Sequence, residues 1–188
     1  MNKGRRITYN SPVVLTFVII SFGVMVANYL TAGLSNKLLF LTYHSSLASP
    51  LTYVRLFTHV LGHIGWSHYI GNMMYLLLLG PMLEEKYGSR AIIEVILITG
   101  LVTGIVNWVF FPGIALCGAS GVVFAFIMMT SFTSFKEGEI PLTVILVAII
   151  FIGQQVYEGL LVQDNISNMA HIMGGIVGAI AGYVLNKK

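Results

Sequence analysis

Residues 12–33 read PVVLTFVIISFGVMVANYLTAG, an apolar run without a charged side chain. A helix needs about 20 such residues to cross a hydrocarbon core about 30 Å thick, so the stretch predicts a membrane-spanning helix. It exceeds the apolar core of a signal peptide, and no Ala-x-Ala pattern closes it, so retention is expected. The rest of the chain agrees: of its 188 residues 56% are hydrophobic and 9% charged, with a mean hydropathy of +0.86. A soluble domain cannot hide that much apolar surface. The expected fold class is an all-α membrane protein.

Backbone groups in lipid must pair within their own segment, which makes each long apolar run a helix. Six transmembrane helices follow, at about 12–33, 67–83, 91–110, 119–135, 141–161 and 168–185, in one domain spanning 1–188. With N and C termini both cytoplasmic, Lys3, Arg5, Arg6, Lys86, Arg90, Lys136, Lys187 and Lys188 lie inside and only Lys37 and Arg55 outside. That is the Lys/Arg excess expected of cytoplasmic loops. The connection 34–66 is then external. Its Leu38, Leu39, Phe40, Leu41, Tyr53, Leu56 and Phe57 predict a structure lying in the membrane interface in place of a loose loop.

The formal charge of +3 is spread over helix ends, so it speaks to topology and gives no nucleic-acid signature. The single cysteine, Cys117, rules out an internal disulfide and Cys/Cys metal motifs. Gly100 and Gly104 in one helix, and Gly174, Gly178 and Gly182 in another, recur every four residues, the spacing that lets helices approach closely in lipid. A transporter or channel would use such glycines equally. No internal repeat is evident, which argues against the inverted-repeat transporter plan.

Polar groups inside a membrane are costly and therefore candidates for function. His68 precedes Glu84, Ser120 precedes Lys136 and His171 precedes Lys187 by sixteen residues each. At about 1.5 Å of rise per residue the three side chains share one level, below the outer surface. Ser120, within Gly118-Ala119-Ser120-Gly121, opens a predicted helix, where unpaired backbone N–H groups can stabilise an oxyanion. His171 is the side chain suited to take a hydroxyl proton near neutrality, and Ala170, Gly174 and Gly178 beside it are small. His68 and Asn72 lie on one helical face, where both can offer N–H donors. Each of these residues also has a plain packing or hydrogen-bonding reading.

All the acidic residues, Glu84, Glu85, Glu94, Glu137, Glu139, Glu158 and Asp164, map to helix ends or loops, so none is well placed to orient His171. A Ser/His dyad follows, with packing and Asn168 as candidates for the orienting role. A metalloprotease would want His-Glu-x-x-His, whereas the chain has His59-Val-Leu-Gly-His63; an aspartyl type needs two Asp, and Asp164 is alone. His59 and His63 are read as hydrogen-bonding groups of the interface, Cys117 as a small apolar residue. No metal and no cofactor is expected.

In combination these motifs resemble the rhomboid family of intramembrane serine proteases: Arg55-Leu-Phe-Thr-His59, His63 through Asn72, Gly80 with Glu84-Glu85-Lys86-Tyr87-Gly88, Gly118-Ala-Ser120-Gly121, and Ala170-His171 through Gly174 to Gly178. The match extends over Arg55 to Gly178. It implies a six-helix fold of the basic prokaryotic type that cleaves single-pass membrane proteins in or near their spanning helices, with the lipid bilayer as its medium. It assigns Ser120 as nucleophile, His171 as base, and His68, Asn72 and the Ser120 backbone N–H as the oxyanion site. The family often has Tyr four residues after the serine; Phe124 here keeps the ring and loses the hydroxyl. By the same analogy helix five and the loop 161–167 form a side passage for substrate, and Gly153, Gln154, Gln155 and Gly159 hint at imperfect packing there. The lack of a targeting extension suits a bacterial inner membrane. A competing class is a small transporter or membrane-protein binding module, whose activity would survive loss of Ser120.

Overall fold

The computed structural model describes residues 7–133, 136, 139–161 and 168–187. Among the described residues seven α-helices follow in order: α1 (Pro12–Leu30), α2 (Pro50–Thr58), α3 (Trp66–Tyr87), α4 (Ser89–Phe110), α5 (Ser120–Ser131), α6 (Leu142–Leu161) and α7 (Asn168–Asn186). Among the described residues there is no strand, only an isolated antiparallel bridge between Thr42 and Leu116.

Among the described residues three helices, α1, α4 and α7, are long and apolar enough to cross a membrane. The others depart from the uniform ladder that the sequence predicts, each for a visible reason. α3 is 22 residues long, but His68, Asn72 and the run Glu84 to Lys86 dilute its apolar face. α5 is 12 residues, about 18 Å of rise, and stops at Ser131, short of the predicted 135, because Phe132 and Thr133 turn away. α6 is apolar over Leu142–Gln155. α1 stops at Leu30, where Ala32 (φ 49°) and Gly33 (φ 91°) enter the left-handed region.

The connection 34–66 is structured, as its composition predicts. It carries a π-helical turn at Asn36–Phe40, α2, and a 3₁₀ turn at His59–Leu61. α2 is inside out by the standards of water: Leu51, Tyr53, Val54 and Phe57 are exposed, while Arg55 is buried. The Arg55 guanidinium donates to the Tyr43 hydroxyl at 2.7 Å and to Ser45 Oγ at 3.2 Å, and lies over the Tyr43 ring. An apolar medium explains both halves of this pattern, because the cation must find its donors' partners inside the protein.

α5 is the central helix, with Val122, Ala125, Phe126 and Met129 buried among α3, α4 and α7. Its most extensive partner is α7, and there backbone meets backbone. A Cβ on Gly174 would lie 2.1 Å from Gly121 O, and one on Gly178 2.2 Å from Ala125 O. The α4 glycines serve a different neighbour. A Cβ on Gly104 would lie 2.7 Å from Leu56 O and one on Gly100 3.3 Å from Phe57 O, so the glycine face of α4 admits α2 of the external connection.

The start of α1 is held from α3. The buried Glu84 carboxylate accepts from Ser11 Oγ at 2.5 Å, from the Val13 and Val14 amides at 3.0 and 3.1 Å, and from Ser89 Oγ at 2.7 Å. A carboxylate at a helix N-terminus satisfies amides that have no partner within the helix.

Gly178→Ala is expected to lower the thermal midpoint in detergent by forcing α5 and α7 apart, at a cost of about 1–3 kcal/mol. Gly153→Ala, whose Cβ would meet nothing within 4 Å, serves as the control and leaves the midpoint unchanged or raised.

Candidate active site

Ser120 is the first residue of α5 and half-buried. The chain reaches it through Gly118, whose φ of 127° lies in the region that favours glycine. Space also demands glycine here, since a Cβ would sit 2.6 Å from His68 Cε1 and 2.7 Å from His68 Nε2. Asn72 Nδ2 is 3.8 Å from the same point. His68 and Asn72, one turn apart on α3, therefore face the loop that delivers Ser120. Asn72 is buried, and its Nδ2 has no hydrogen-bond partner among the described residues. The first amides of α5 have no carbonyl within the helix to bond, so N–H donors from α3 and α5 converge at one place.

The loop is held from behind by the two histidines of the external connection. The Gly118 amide donates to His59 O at 3.0 Å, and the Ala119 amide to His63 Nε2 at 3.5 Å. His63 Nδ1 meets Leu61 O at 3.2 Å, and a carbonyl can only accept, so His63 carries its proton on Nδ1. His59 Nε2 likewise donates to Gly100 O at 3.0 Å. Both lie outside the spanning segments. Burial lowers His59 to about 4, and burial, with the charge of His68 second, lowers His63 to about 4. They are neutral structural histidines, in line with the hydrogen-bonding role expected of them. Cys117 in the same loop is buried, and burial pushes its thiol up to about 12, which leaves it inert as a nucleophile.

α7 brings His171 to this site. Gly174 lies on Gly121, and a Cβ on Gly121 would be 3.5 Å from Ala170 O, so the residues beside Ser120 and beside His171 touch. Phe124, one turn into α5, sets its ring 4.6 Å from the His171 ring and 4.3 Å from Phe151 of α6. The ring packing expected at Phe124 is present without a hydroxyl. Neighbouring turns of α5 and α7 thus bring the serine and the histidine together.

Two sequence readings change. Equal counts of sixteen residues do not measure the depth of Ser120, because the α5 helix ends before Lys136; contact with α7 sets its level instead. Asn168, the orienting candidate from the sequence, has a buried Oδ1 with no partner among the described residues. The residue bonded to His171 is Gln155 of α6, with Nδ1 and Oε1 2.8 Å apart. The sequence marked Gln155 only as a flaw in packing. Its available signal was register: of the adjacent Gln154 and Gln155, Gln155 lies four residues beyond Phe151 and so on the same helical face. The loop 161–167 lies largely outside the described residues.

Apolar spans and exposed apolar faces define an integral membrane protein, with polar side chains gathered where the N-terminus of α5 meets α3 and α7. A family model described as Rhomboid domain matches residues 50–188, and the chain belongs to the rhomboid family. It is 31% identical over 160 residues to Rhomboid-related protein 2 of Mus musculus, covering 74% of this chain and 53% of that protein. To Rhomboid-like protein 11, chloroplastic, of Arabidopsis thaliana it is 24% identical over 184 residues, covering 90% of this chain and 64% of the relative. To Rhomboid protease GlpG of Haemophilus influenzae it is 25% identical over 183 residues, covering 92% and 91%. The chain thus spans between half and two thirds of the first two relatives and nearly all of the third.

The lowered histidines imply a pH dependence of stability. Both contribute stability that is present above 6.5 and lost as pH falls toward about 4, since the unfolded chain then binds protons that the folded one refuses. The thermal midpoint in detergent is expected to fall across that window. His63→Gln, which can donate and accept without titrating, is expected to flatten the fall.

Proposed function

We propose that the chain is an intramembrane serine endopeptidase in which Ser120 is the nucleophile and His171 the base, acting on membrane proteins in or near their spanning helices. The observation that carries this reading is the seating of α7 on α5, with Ala170 and Gly174 against Gly121 and the His171 ring beside Phe124. Membership of the rhomboid family, and a near full-length likeness to a relative named a rhomboid protease, support it.

In this reading His171 takes the Ser120 hydroxyl proton as Oγ attacks the substrate carbonyl. The oxyanion accepts from the Ser120 amide, His68 and Asn72, each such donor being worth about 10²- to 10³-fold in rate. His171 then protonates the leaving amine, and a water activated by the same imidazole hydrolyses the acyl-enzyme. The chain acts as one domain over 1–188, with α1, α3, α4, α5, α6 and α7 as its six passes and both termini cytoplasmic. The 12-residue α5 rises about 18 Å, too little to span a core of about 30 Å alone, so the residues that flank it complete its pass. A bacterial cytoplasmic membrane is the setting, which the near full-length bacterial relative favours.

Ser120→Ala is expected to abolish cleavage of a membrane-embedded reporter, and a fluorophosphonate to label Ser120 in the unsubstituted protein but not in His171→Ala. Cleavage that survives Ser120→Ala, read by gel shift of the reporter, would overturn the assignment.

A further inference from the structure

Gln155 is 2% exposed, on the face of α6 that also carries Phe151. A buried amide in an apolar helix is costly unless bonded, and this one is spent on the imidazole of His171, Oε1 to Nδ1 at 2.8 Å. With the amide oxygen turned to the ring the pair runs one way: Oε1 has no proton to give, so Nδ1 carries the hydrogen and Nε2 is left as the basic nitrogen of the ring. Phe151 fixes the approach: its ring stacks on Phe124 and lies where a Cβ on Gly175 would come within 2.6 Å of it. Phe124 in turn lies against the His171 ring. One helix thereby supplies both a wall to the stack that holds the imidazole and the acceptor that selects its tautomer.

We propose that Gln155 is a positioning residue for the base, completing a Ser120–His171–Gln155 array in which a neutral amide takes the place that a carboxylate holds in a serine-protease triad. This rests on the reading of Ser120 and His171 as nucleophile and base. The array spans three helices, and its third member arrives only when α6 is seated on α5 and α7. A carboxylate there would leave a buried charge in the membrane whenever the imidazole is neutral, a cost that the amide avoids while keeping the same acceptor geometry. The amide stabilises an imidazolium less than a carboxylate would, so its contribution is mainly tautomer and orientation.

The test uses the full chain in detergent with a membrane-protein reporter. Gln155→Met keeps length and bulk and removes the acceptor; it is expected to lower kcat, and the rate at which a fluorophosphonate labels Ser120, by about 10- to 100-fold with KM within about twofold. Gln155→Glu restores an acceptor and is expected to return both to within about fivefold of the unsubstituted protein. Unaltered kcat and labelling in Gln155→Met overturn the proposal, as does Gln155→Glu being as slow as Gln155→Met. Should Gln155→Met fail to fold, ¹⁵N imidazole shifts of His171 in the unsubstituted protein decide: a proton on Nδ1 supports the proposal and a proton on Nε2 overturns it. Cleavage that persists in Ser120→Ala would instead remove the protease reading, while the ¹⁵N measurement would still report the Gln155 bond.

Discussion

The contact on which the rest depends is the one between two helix backbones. Gly174 and Gly178 of α7 leave no room for a methyl group against the carbonyls of Gly121 and Ala125, so α5 and α7 touch main chain to main chain. In lipid there is no hydrophobic drive to press helices together, and such packing is a principal source of attraction. Its range is short, which makes it specific: the register that seats Gly174 on Gly121 also sets Ala170 beside Gly121 and the His171 ring beside Phe124. The scaffold and the meeting of the two polar residues are the same interaction.

Around that seam the protein resolves a conflict that every membrane site meets. Polar groups must be present for chemistry, yet each costs free energy in an apolar surrounding unless bonded. His59, His63 and Arg55 are buried and bonded, and the two histidines hold the Gly118–Ala119 turn against the external connection. Glu84 is likewise absorbed, capping the start of α1. Asn72 Nδ2 is one of several buried polar atoms without a partner among the described residues, and its place beside the Gly118 turn and His68 makes it a donor available to the loop that delivers Ser120.

Much of this was legible in one dimension, because the physics behind it is local. Apolar runs declare spanning helices wherever backbone must satisfy itself in lipid, and the glycines at 174, 178 and 182 announce a close contact by spacing alone. Ser120, His68, Asn72 and His171 stood out because a polar residue in such a helix needs a reason to be there. The α2 segment was less legible. Its short apolar pattern reads as interfacial, but the burial of Arg55 against Tyr43 depends on a neighbour twelve residues away that no helical period predicts.

What the sequence by itself determined is the medium, the helical class, the motifs of the rhomboid family and the identity of the polar candidates, since composition and spacing carry those directly. Only the tertiary structure decided which glycines meet which helices, where α5 ends, and which side chain the His171 ring bonds. Asn168, three residues from His171, is a candidate that spacing offers; Gln155, sixteen residues away on another helix, is one that only the packing reveals, with its Oε1 2.8 Å from His171 Nδ1. The reason is geometric: a hydrogen bond to an imidazole nitrogen needs an acceptor in the plane of the ring, and that plane is set by how α5, α6 and α7 pack, which no one of the three segments records on its own.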